Sequence, residues 1–492
     1  MNIFKDRFSE IKKASEPLYK SPKSVQETIE ILKISESGIF EVADGKYSKT
    51  YRFSDVNYAT RSEDEQESFF QRYCKCLNSF DCTFKITVNN KNKDMDVLRN
   101  EVMLKYRNDG FDKMRESYNR IIEEKILEGR QGIEQERYLT ITIERKNFEE
   151  AKAQFATIEA SMFRSFAELG SKLTPLTGNE RLKILHDYYR LGREDEFNFD
   201  IRQGRITGTD FRNEICNTRI KYHPDYFENE GKVGRVLFIK KYPTYLSDRF
   251  FTELTFLPVH SVTSVDVVPV PKDLTMKMLQ KKYLGIESDI IKQQRTRNRN
   301  NDFSSEISYA TRQKKKDIEE IMNNVRENDE SLYYVSVTMI VMADDRDELE
   351  SICETVDSVS KGAGCAVDTC MYKQREAVNT TLPIGVRQIE TMRTMLTQSL
   401  AVLMPFNVQE LCDRNGIYYG VNQISKNIIV GNRKKLLNGN GFIFGVSGAG
   451  KSFQAKMEMG SVLLSTDDNV IAVDPMNGAK RSYLKRVGTA LH

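Results

Sequence analysis

The residues best suited to chemistry form a glycine-rich loop late in the chain. Its members match the pattern G-x-x-x-x-G-K-[ST] at every fixed position: Gly445, Val446, Ser447, Gly448, Ala449, Gly450, Lys451 and Ser452. Gly448 and Gly450 have no Cβ, so the backbone can curl around a phosphate and turn its N–H groups inward. Lys451 can reach the outer phosphates of a nucleotide, and the Ser452 hydroxyl can bind Mg²⁺. The loop, with the adjoining Phe453, therefore predicts a nucleotide site.

The segments around the loop predict the strand–loop–helix–strand unit that a nucleotide site requires. Phe442 to Phe444 is a short apolar run and predicts a buried parallel strand before the loop. Ser452 to Leu464 contains no proline and predicts a helix, whose positive N-terminal end would face the phosphates. Asn469 to Pro475 predicts a second buried strand. Asp474 at its end either binds Mg²⁺ through water or forms a turn with the following proline.

Composition limits what the rest of the protein can be. The chain has 492 residues, enough for roughly two to four domains, of which 39% are hydrophobic and 29% charged, as in a globular protein with a polar surface. The net charge of +3 excludes a global field that attracts nucleic acid. The charged N-terminus lacks the apolar core of a secretory signal, and no apolar run is long enough to span a bilayer. These features predict a cytoplasmic protein.

Two smaller groups of residues have both a chemical and a structural interpretation. Cys74, Cys76 and Cys82 lie close together, but their spacing fits no zinc pattern, which favours buried structural thiols. Asp344 and Asp345 follow an apolar strand as magnesium ligands would. Acids are also typical of a helix N-terminus, and a helix is predicted directly after them. We favour that second interpretation.

A basic segment extends from Lys292 to Lys316 and contains eight lysines and arginines against two acids. Such a patch could bind the phosphates of DNA or of lipid headgroups. The alternative is a solvated face of two helices, which is the usual role of a charge run. We expect the solvated face.

The order of predicted elements indicates an α+β region before the loop. Asp44-Gly45 predicts a hairpin turn, and a long charged helix is predicted from about 97 to 129. In each half a strand then leads into a helix, and this repetition indicates ferredoxin-like modules. The predicted strands and helices are Cys82–Val88, Arg137–Glu144, Asn147–Leu169 with Gly170 as its stop, Val233–Ile239, a short helix between Pro243 and Pro258, Val262–Val270, Tyr333–Ala343, Asp347–Ser360 and Ala366–Tyr372.

Six stretches together are far more specific than the loop alone. They are GIFEVADGKYSKTYRFSDVNYAT, KKYPTYLSDRFFTELTFLP, LYYVSVTMIVMADDRDELES, NTTLPIGVRQIETMRTMLTQSLAVLMPF, GIYYGVNQISKNIIVGNRKKLLNGNGFIFGVSGAGKSF and VIAVDPMN, and they cover about 40 to 477. By these stretches the chain resembles the large ATPases of conjugative type IV secretion, the CagE/TrbE/VirB-four group, in the form of Gram-positive mobile elements.

The resemblance implies an α+β N-terminal region followed by the start of an α/β P-loop domain of the RecA-like, HerA/FtsK type. It divides the chain into a polar lead-in (1–37), the α+β domain (38–395, with a helical excursion at about 272–330) and the start of the P-loop domain (396–492). It implies an ATPase that binds ATP and Mg²⁺ and energises a DNA-transfer channel at the inner face of the cell membrane. Its partners would be channel proteins and further copies of itself, commonly in a hexamer.

The family's loop is matched one for one at Gly445, Gly448, Gly450, Lys451 and Ser452. The departure lies further on, where the family has an acidic pair and arginine motifs that this sequence does not reach. Gly478 and Ala479 stand where the family has Glu-Tyr, which suggests a shifted reading frame after Asn477. The expectation is therefore a fragment inactive as an ATPase on its own. The alternative is a non-hydrolysing assembly module that docks to the channel complex.

Overall fold

The structure is a computed structural model that describes residues 22–92, 99, 102–128, 133–243, 245–257, 259–299, 309–327, 329–408, 411, 413, 416–422, 427–468 and 470–471. Across these residues the fold is mixed α/β, with thirteen α-helices, one large antiparallel sheet and a separate two-stranded hairpin. The α+β character predicted for the N-terminal region is thus confirmed, whereas a P-loop domain is not shown.

The elements follow one another in three groups. The first comprises β1 (Lys33–Ile34), β2 (Ile39–Ala43), β3 (Lys46–Phe53), α1 (Glu63–Asn78), β4 (Thr83–Asn92), α2 (Asp112–Glu128), β5 (Ile133–Glu144), α3 (Phe148–Leu169), β6 (Leu173–Pro175), α4 (Gly178–Tyr189), α5 (Ile201–Thr207), α6 (Phe211–Ile215), β7 (Ile220–Tyr222) and β8 (Phe227–Asn229). The second comprises β9 (Lys232–Lys241), α7 (Arg249–Thr255), β10 (Ser261–Val270), α8 (Lys272–Arg299), α9 (Tyr309–Glu327), β11 (Leu332–Ala343), α10 (Arg346–Gly362), β12 (Ala366–Thr369), α11 (Gln374–Thr381), β13 (Arg393–Leu396) and α12 (Thr397–Ala401). The third comprises β14 (Ile417–Val421), β15 (Ile428–Gly431) and α13 (Lys451–Ser465).

The large sheet contains the same module twice. Its strand order is β1-β2-β3-β5-β4-β10-β11-β9-β8-β7, with β6 beside β3, β12 beside β9 and β13 beside β11. The first module, β3-α1-β4-β5-α3-β6, has the spatial order β6-β3-β5-β4, and the second, β9-α7-β10-β11-α10-β12, has the order β12-β9-β11-β10. Both are the βαββαβ arrangement of a ferredoxin-like unit. The repeated modules predicted from the sequence are therefore present.

The two modules form one sheet because β4 of the first pairs with β10 of the second. This antiparallel ladder extends from the Phe84–Val267 pair to the Asn90–Ser261 pair. Each module also has an insert between its second and third strands. The first insert occupies 93–132 and contains α2, and the second occupies 271–331 and contains the helix pair α8 and α9, as the predicted excursion requires.

Local sequence signals explain several of these elements. Gly45, in the turn between β2 and β3, has φ of +68°, a conformation that glycine adopts without strain. The Asn147 side chain accepts the backbone N–H of Glu150 at the start of α3, and Gly170 ends the helix with φ of +79°. The single helix predicted at about 97–129 is wrong, because the chain is not helical at 103–111, where Asn108 and Gly110 have positive φ, and α2 begins only at Asp112.

One face of the sheet carries the larger apolar core. Helices α1, α3, α7 and α10 pack on it, and their buried side chains join those of the strands in a single cluster that includes Phe155, Phe251, Val265, Val337 and Val356. Two of the three thiols predicted to be buried lie here: Cys74 and Cys76 are buried on α1, and burial raises the pKa of each to about 12. The third, Cys82, is only partly buried against the same cluster.

The opposite, second face divides into two regions of different chemistry. Its apolar region consists of Val236, Val262, Ile340 and Met342, which pack with side chains of α4 and α11. Its polar region consists of Ser48, Thr50, Lys85, Thr87, Thr140, Thr142, Ser264 and Asp266, all of them buried. A buried polar group without a hydrogen bond is costly, so the polar region needs a partner rich in acceptors.

That partner is the segment of residues 380–388, which we call the strap: it comprises the last two residues of α11 and the irregular chain that follows them. Ser48 Oγ donates to the carbonyl of Ile384 at 2.5 Å, and Ser264 Oγ donates to that of Thr381 at 2.5 Å. The Lys85 ammonium donates to three strap carbonyls, those of Thr380, Leu382 (3.4 Å) and Val386 (3.0 Å). Sheet side chains thus supply the hydrogen bonds that the strap backbone would otherwise lack.

Gly385 allows the strap to lie this close to the sheet. Its φ is +93°, and a Cβ there would lie 2.6 Å from both Ser48 Cβ and Thr142 Oγ1. Two arginines hold the strap on either side. Arg387 pairs with Asp266 at 3.0 and 3.1 Å. Arg181 of α4 is 3% exposed and donates to the carbonyls of Gly38, Ser48, Pro383 and Ile384.

Candidate functional site

The glycine-rich loop leads directly into α13. This helix begins at Lys451, and Gly450 is its N-cap. Gly448 and Gly450 have φ of +84° and +85°, and a Cβ on either would meet nothing within 4 Å. Glycine is therefore favoured at both positions by backbone conformation rather than by lack of space. A turn of this kind before a helix presents backbone N–H groups to an anion, in addition to the positive end of the helix.

Lys451 folds back over the loop that precedes it. Its ammonium donates to the carbonyl of Val446 at 2.8 Å, and the N–H of Ala449 also lies 3.2 Å from that oxygen. A Cβ on Gly445 would lie 3.2 Å from Ala449 Cβ and 3.4 Å from Lys451 Cγ, so a side chain at 445 would crowd the lysine. The ammonium thus lies over the turn, where it could meet the charge of a bound phosphate.

The loop and its approach lie on the surface. Residues 434–450 are exposed, as are Ser452 and Phe453, whereas Lys451 is half-buried. The buried strand predicted at Phe442–Phe444 is wrong, because these residues have no regular structure and the two phenylalanines are 83% and 86% exposed. An apolar run becomes a strand only where another strand can pair with it, and among the described residues none lies beside this one.

The second strand predicted at Asn469–Pro475 falls mostly outside the described residues. Val470 and Ile471, which are described, have no regular structure. Asp474, the candidate magnesium ligand, lies outside them too. The structure therefore describes the loop from Gly445 to Ser452, together with Phe453, but not the acid proposed to complete the site.

Helix α13 is anchored to the hairpin β14–β15 by a polar cluster. Glu458 of α13 accepts a hydrogen bond from the Tyr419 hydroxyl at 2.9 Å and pairs with Arg433 at 2.7 Å. The Arg433 guanidinium also donates to the Tyr419 hydroxyl at 3.0 Å. Tyr419 and Arg433 come from the two sides of the hairpin, so the cluster fixes the orientation of the helix that starts at the loop.

The far end of α13 is held by two arginines of the first insert. Arg115 of α2 is 1% exposed and donates to the Leu464 carbonyl at 3.2 Å, while Arg107 donates to the Ser465 carbonyl at 2.9 Å. Asp109 orients Arg115 through two 2.6 Å bonds. Cations are favourable at a helix C-terminus, where the last carbonyls have no partner within the helix.

Sequence reasoning missed this contact. The Asn-Asp-Gly turn at 108–110 indicates that a helix is interrupted there. Nothing in the sequence indicates which distant carbonyls Arg115 contacts. The contact joins the helix of the candidate site to an insert of the main sheet. Its consequence is that α13 is held near its middle by the hairpin and at its C-terminal end by the first insert.

The other candidate groups have structural roles. Asp345 is the N-cap of α10 and accepts the backbone N–H of Glu348 at 2.9 Å, and Asp344 pairs with Lys232. This confirms the predicted helix start. In the basic segment, Lys292 and Arg295 on α8 are exposed. Lys315 of α9 pairs with Glu287 of α8 at 3.0 Å, so part of the predicted charge run joins the two helices of the second insert.

Two further observations bear on location and kinship. Among the helices that the structure describes, none combines the length and the apolar character needed to cross a membrane. Comparison with protein-family models found no match, and comparison with curated proteins found none either.

Proposed function

We propose that this chain is an ATP-binding component of a conjugative type IV secretion machine, which energises the transfer of DNA or protein through a membrane channel. The observation that carries the proposal is the loop. Its residues match G-x-x-x-x-G-K-[ST], Gly448 and Gly450 have left-handed backbone conformations directly before α13, and Lys451 folds back over the turn. The assignment to secretion rests on the resemblance of the six quoted stretches.

In this proposal the loop backbone and Lys451 hold the phosphates of ATP, and the Ser452 hydroxyl binds Mg²⁺. Gly445 keeps space beside the lysine, and Phe453 adjoins the base of the loop. Asp474 is proposed to contact the ion through water. The bound ATP with its Mg²⁺ would supply the phosphoryl chemistry, while these residues bind and orient it.

The proposed partners follow from the same resemblance. They are other channel proteins at the cytoplasmic face of the membrane, where this chain would be peripheral, and further copies of the chain in a hexameric motor. Direct contact with DNA is not expected, because the basic segment is explained at least in part by the pairing of α8 with α9.

Nucleotide binding is tested with a fluorescent ATP analogue in the presence of Mg²⁺. Lys451→Ala is expected to weaken binding about 10- to 100-fold, because a charge-assisted contact is worth about 1.5–3 kcal/mol. Lys456→Ala is the matched control: it lies on the same helix, has no ion pair among the described residues, and should leave affinity within about twofold. Equal affinities of the wild type and Lys451→Ala would contradict the proposal.

A second candidate function is an assembly module that docks to the channel complex without hydrolysing ATP. The observation in its favour is the apolar surface beside the loop, where Phe442, Phe444, Val446 and Phe453 are 69–86% exposed. Catalysis of phosphoryl transfer needs a water-excluding site around the phosphates, and this surface is open. We expect ATP turnover no faster than that of Lys451→Ala, and lysine-dependent turnover would exclude this candidate.

A further inference from the structure

A cleft of about 860 Å³ lies away from the glycine-rich loop, beside the second module. One wall is β13. The facing wall is the end of β9 and the loop that leads into α7, with Lys241, Tyr242 and Leu246. Phe70 of α1 and Ile321 of α9 also line the cleft, which therefore combines apolar side chains with an open, polar rim.

The strand β13 has one unpaired edge, and it faces this cleft. Its ladder with β11 joins Arg393–Leu396 to Val335–Leu332, and all four of its residues line the cleft. No backbone hydrogen bond from its other edge to a described residue is present. Because alternate residues of an antiparallel strand direct their N–H and C=O groups to opposite sides, half of this backbone points into the cleft.

The cleft exists because β9 separates from β11 beside β13. It pairs with β11 only from Thr338 to Ala343, and its last residues pair instead with β12 on its other edge. The Arg393 guanidinium crosses to the Lys240 carbonyl at 2.6 Å and closes one end of the gap. An unpaired edge beside a ready-made gap is the arrangement to which an additional strand binds.

The charges around the cleft indicate the charge of the segment that it would bind. Lys241 and Arg393 are exposed, and neither pairs with a carboxylate among the described residues. The one acid of the lining, Asp248, already accepts the Tyr58 hydroxyl at 2.8 Å. Leu246, Ile321 and Met395 offer apolar contacts between these cations and the protein interior.

We propose that this cleft binds an extended segment of a partner protein, which pairs with β13 as an added strand. The segment alternates apolar residues, directed into the cleft, with an acidic residue that meets Lys241 and Arg393. A small molecule fits less well, since only another backbone satisfies a row of N–H and C=O groups at once. Four residues of strand span about 13 Å, so a segment of about four to six residues is sufficient.

The probe is a fluorescein-labelled hexapeptide, Glu-Val-Thr-Val-Glu-Val, titrated with the full chain and followed by fluorescence anisotropy. Two matched peptides accompany it, one with lysine in place of glutamate and one N-methylated on alternate amides. Saturable binding of the acidic peptide is expected. N-methylation should weaken it about tenfold, because at least two backbone hydrogen bonds are lost. The lysine peptide should bind no better than the N-methylated one.

Neighbouring lysines of β9 provide the matched variants. Lys241→Gln should weaken binding of the acidic peptide about threefold, and combined with Arg393→Gln about tenfold. Lys240→Gln should change it by less than about twofold, because its ammonium pairs with Asp368 outside the cleft lining.

Three outcomes would overturn the proposal. They are no saturable binding of the acidic peptide up to millimolar concentration, equal binding of the N-methylated peptide, and equal binding of the lysine peptide. Self-association of the chain that the acidic peptide reverses and Lys241→Gln abolishes would identify a second copy as the occupant, and would equally overturn a separate partner. None of these measurements depends on nucleotide, so they stand apart from the test of ATP binding.

Discussion

The two regions of the sheet's second face have the same backbone and opposite chemistry. The apolar region, at Val236 and Ile340 among others, is covered by helices whose own backbone hydrogen bonds are satisfied internally. The polar region, at Ser48 and Lys85 among others, is covered by the strap, whose carbonyls are exposed to the sheet. Side-chain chemistry thus selects which kind of segment can cover a strand.

This difference also sets how each region fails. Removing a methylene from the apolar region costs transfer free energy and leaves a small cavity. Removing a donor from the polar region deprives buried carbonyls of one or all of their hydrogen bonds, which is a larger loss. The strap region is therefore the more sensitive of the two, although it contains little of the apolar core.

The largest effect is expected for Arg181→Ala. This change leaves the strap carbonyls of Pro383 and Ile384 without the guanidinium, and removes a ring contact in which the guanidinium lies 3.8 Å from the centre of Phe40. We expect a loss of about 3–5 kcal/mol in the free energy of unfolding, measured by chemical denaturation. Ile340→Val in the apolar region is the control and should cost about 1 kcal/mol. A larger loss for the isoleucine would reverse the comparison.

A pH dependence of stability is expected from Lys85. The pKa of its ammonium is lowered to about 8, mainly by burial. The negative charge of Asp266 opposes this shift, and the positive charges of Arg387 and Lys46 add to it. Above that pH the folded protein has lost a proton that the unfolded chain keeps up to about 10.5, so stability rises with pH. Relative to Lys85→Met, the wild type should gain about 2 kcal/mol between pH 7.5 and 9.5.

The same denaturation series at both pH values provides the measurement. Taking the difference between wild type and Lys85→Met removes the contribution of the buried thiols, which titrate in the opposite direction. A flat difference between the two proteins across this range would show that the Lys85 amine is not perturbed under the strap.

The inserts extend the comparison, since the first insert contacts α13 and the second forms a helix pair of its own. Arg115→Ala removes one bond to the Leu464 carbonyl and releases Asp109. We expect about 2 kcal/mol of local destabilisation, seen as roughly tenfold or greater acceleration of amide hydrogen exchange in the last turn of α13. Arg120→Ala, an exposed arginine on the same helix, should leave that exchange unchanged.

The smallest effect is expected in the second insert. Arg295, Lys314 and Lys316 are exposed, and replacing all three by glutamine should change the free energy of unfolding by no more than about 0.5 kcal/mol. We also expect that the unchanged protein does not bind DNA through this segment, so the substitutions remove no DNA affinity. If the segment does bind DNA, the same substitutions would lower the salt dependence of affinity, log Kd against log salt, by about three.

Sequence patterns were sufficient where the cause is local. Three features depend on neighbours a few residues away, and all were predicted. They are the alternation in Arg137–Glu144, the Asp44-Gly45 turn, and the ends of α3 at Asn147 and Gly170. The repeated strand–helix pattern also indicated the two modules. The β4–β10 ladder joins the two modules, and its strands lie about 180 positions apart in the sequence. Nothing in the sequence of either strand specifies the other as its partner.

The same reasoning explains the errors near the loop. Gly445–Ser452 was identifiable because its spacing reflects backbone conformation and charge within eight residues. The strand predicted at Phe442–Phe444 is absent, since an apolar run requires a neighbouring strand before it can be buried. The strap and Arg115 were missed for a related reason: Gly385 and Arg115 meet atoms that are remote in sequence.

The strap has a consequence for the protein during its synthesis. Ser48 meets the Ile384 carbonyl, 336 positions further along the chain. A ribosome adds about 5–20 residues per second, so β3 emerges on the order of 20–60 s before the segment that covers it. During that interval the polar region of the first module faces water, which solvates it well. An apolar face left uncovered for the same interval would be prone to aggregation. A polar region is therefore the safer surface for a module whose covering segment, the strap, is synthesised much later.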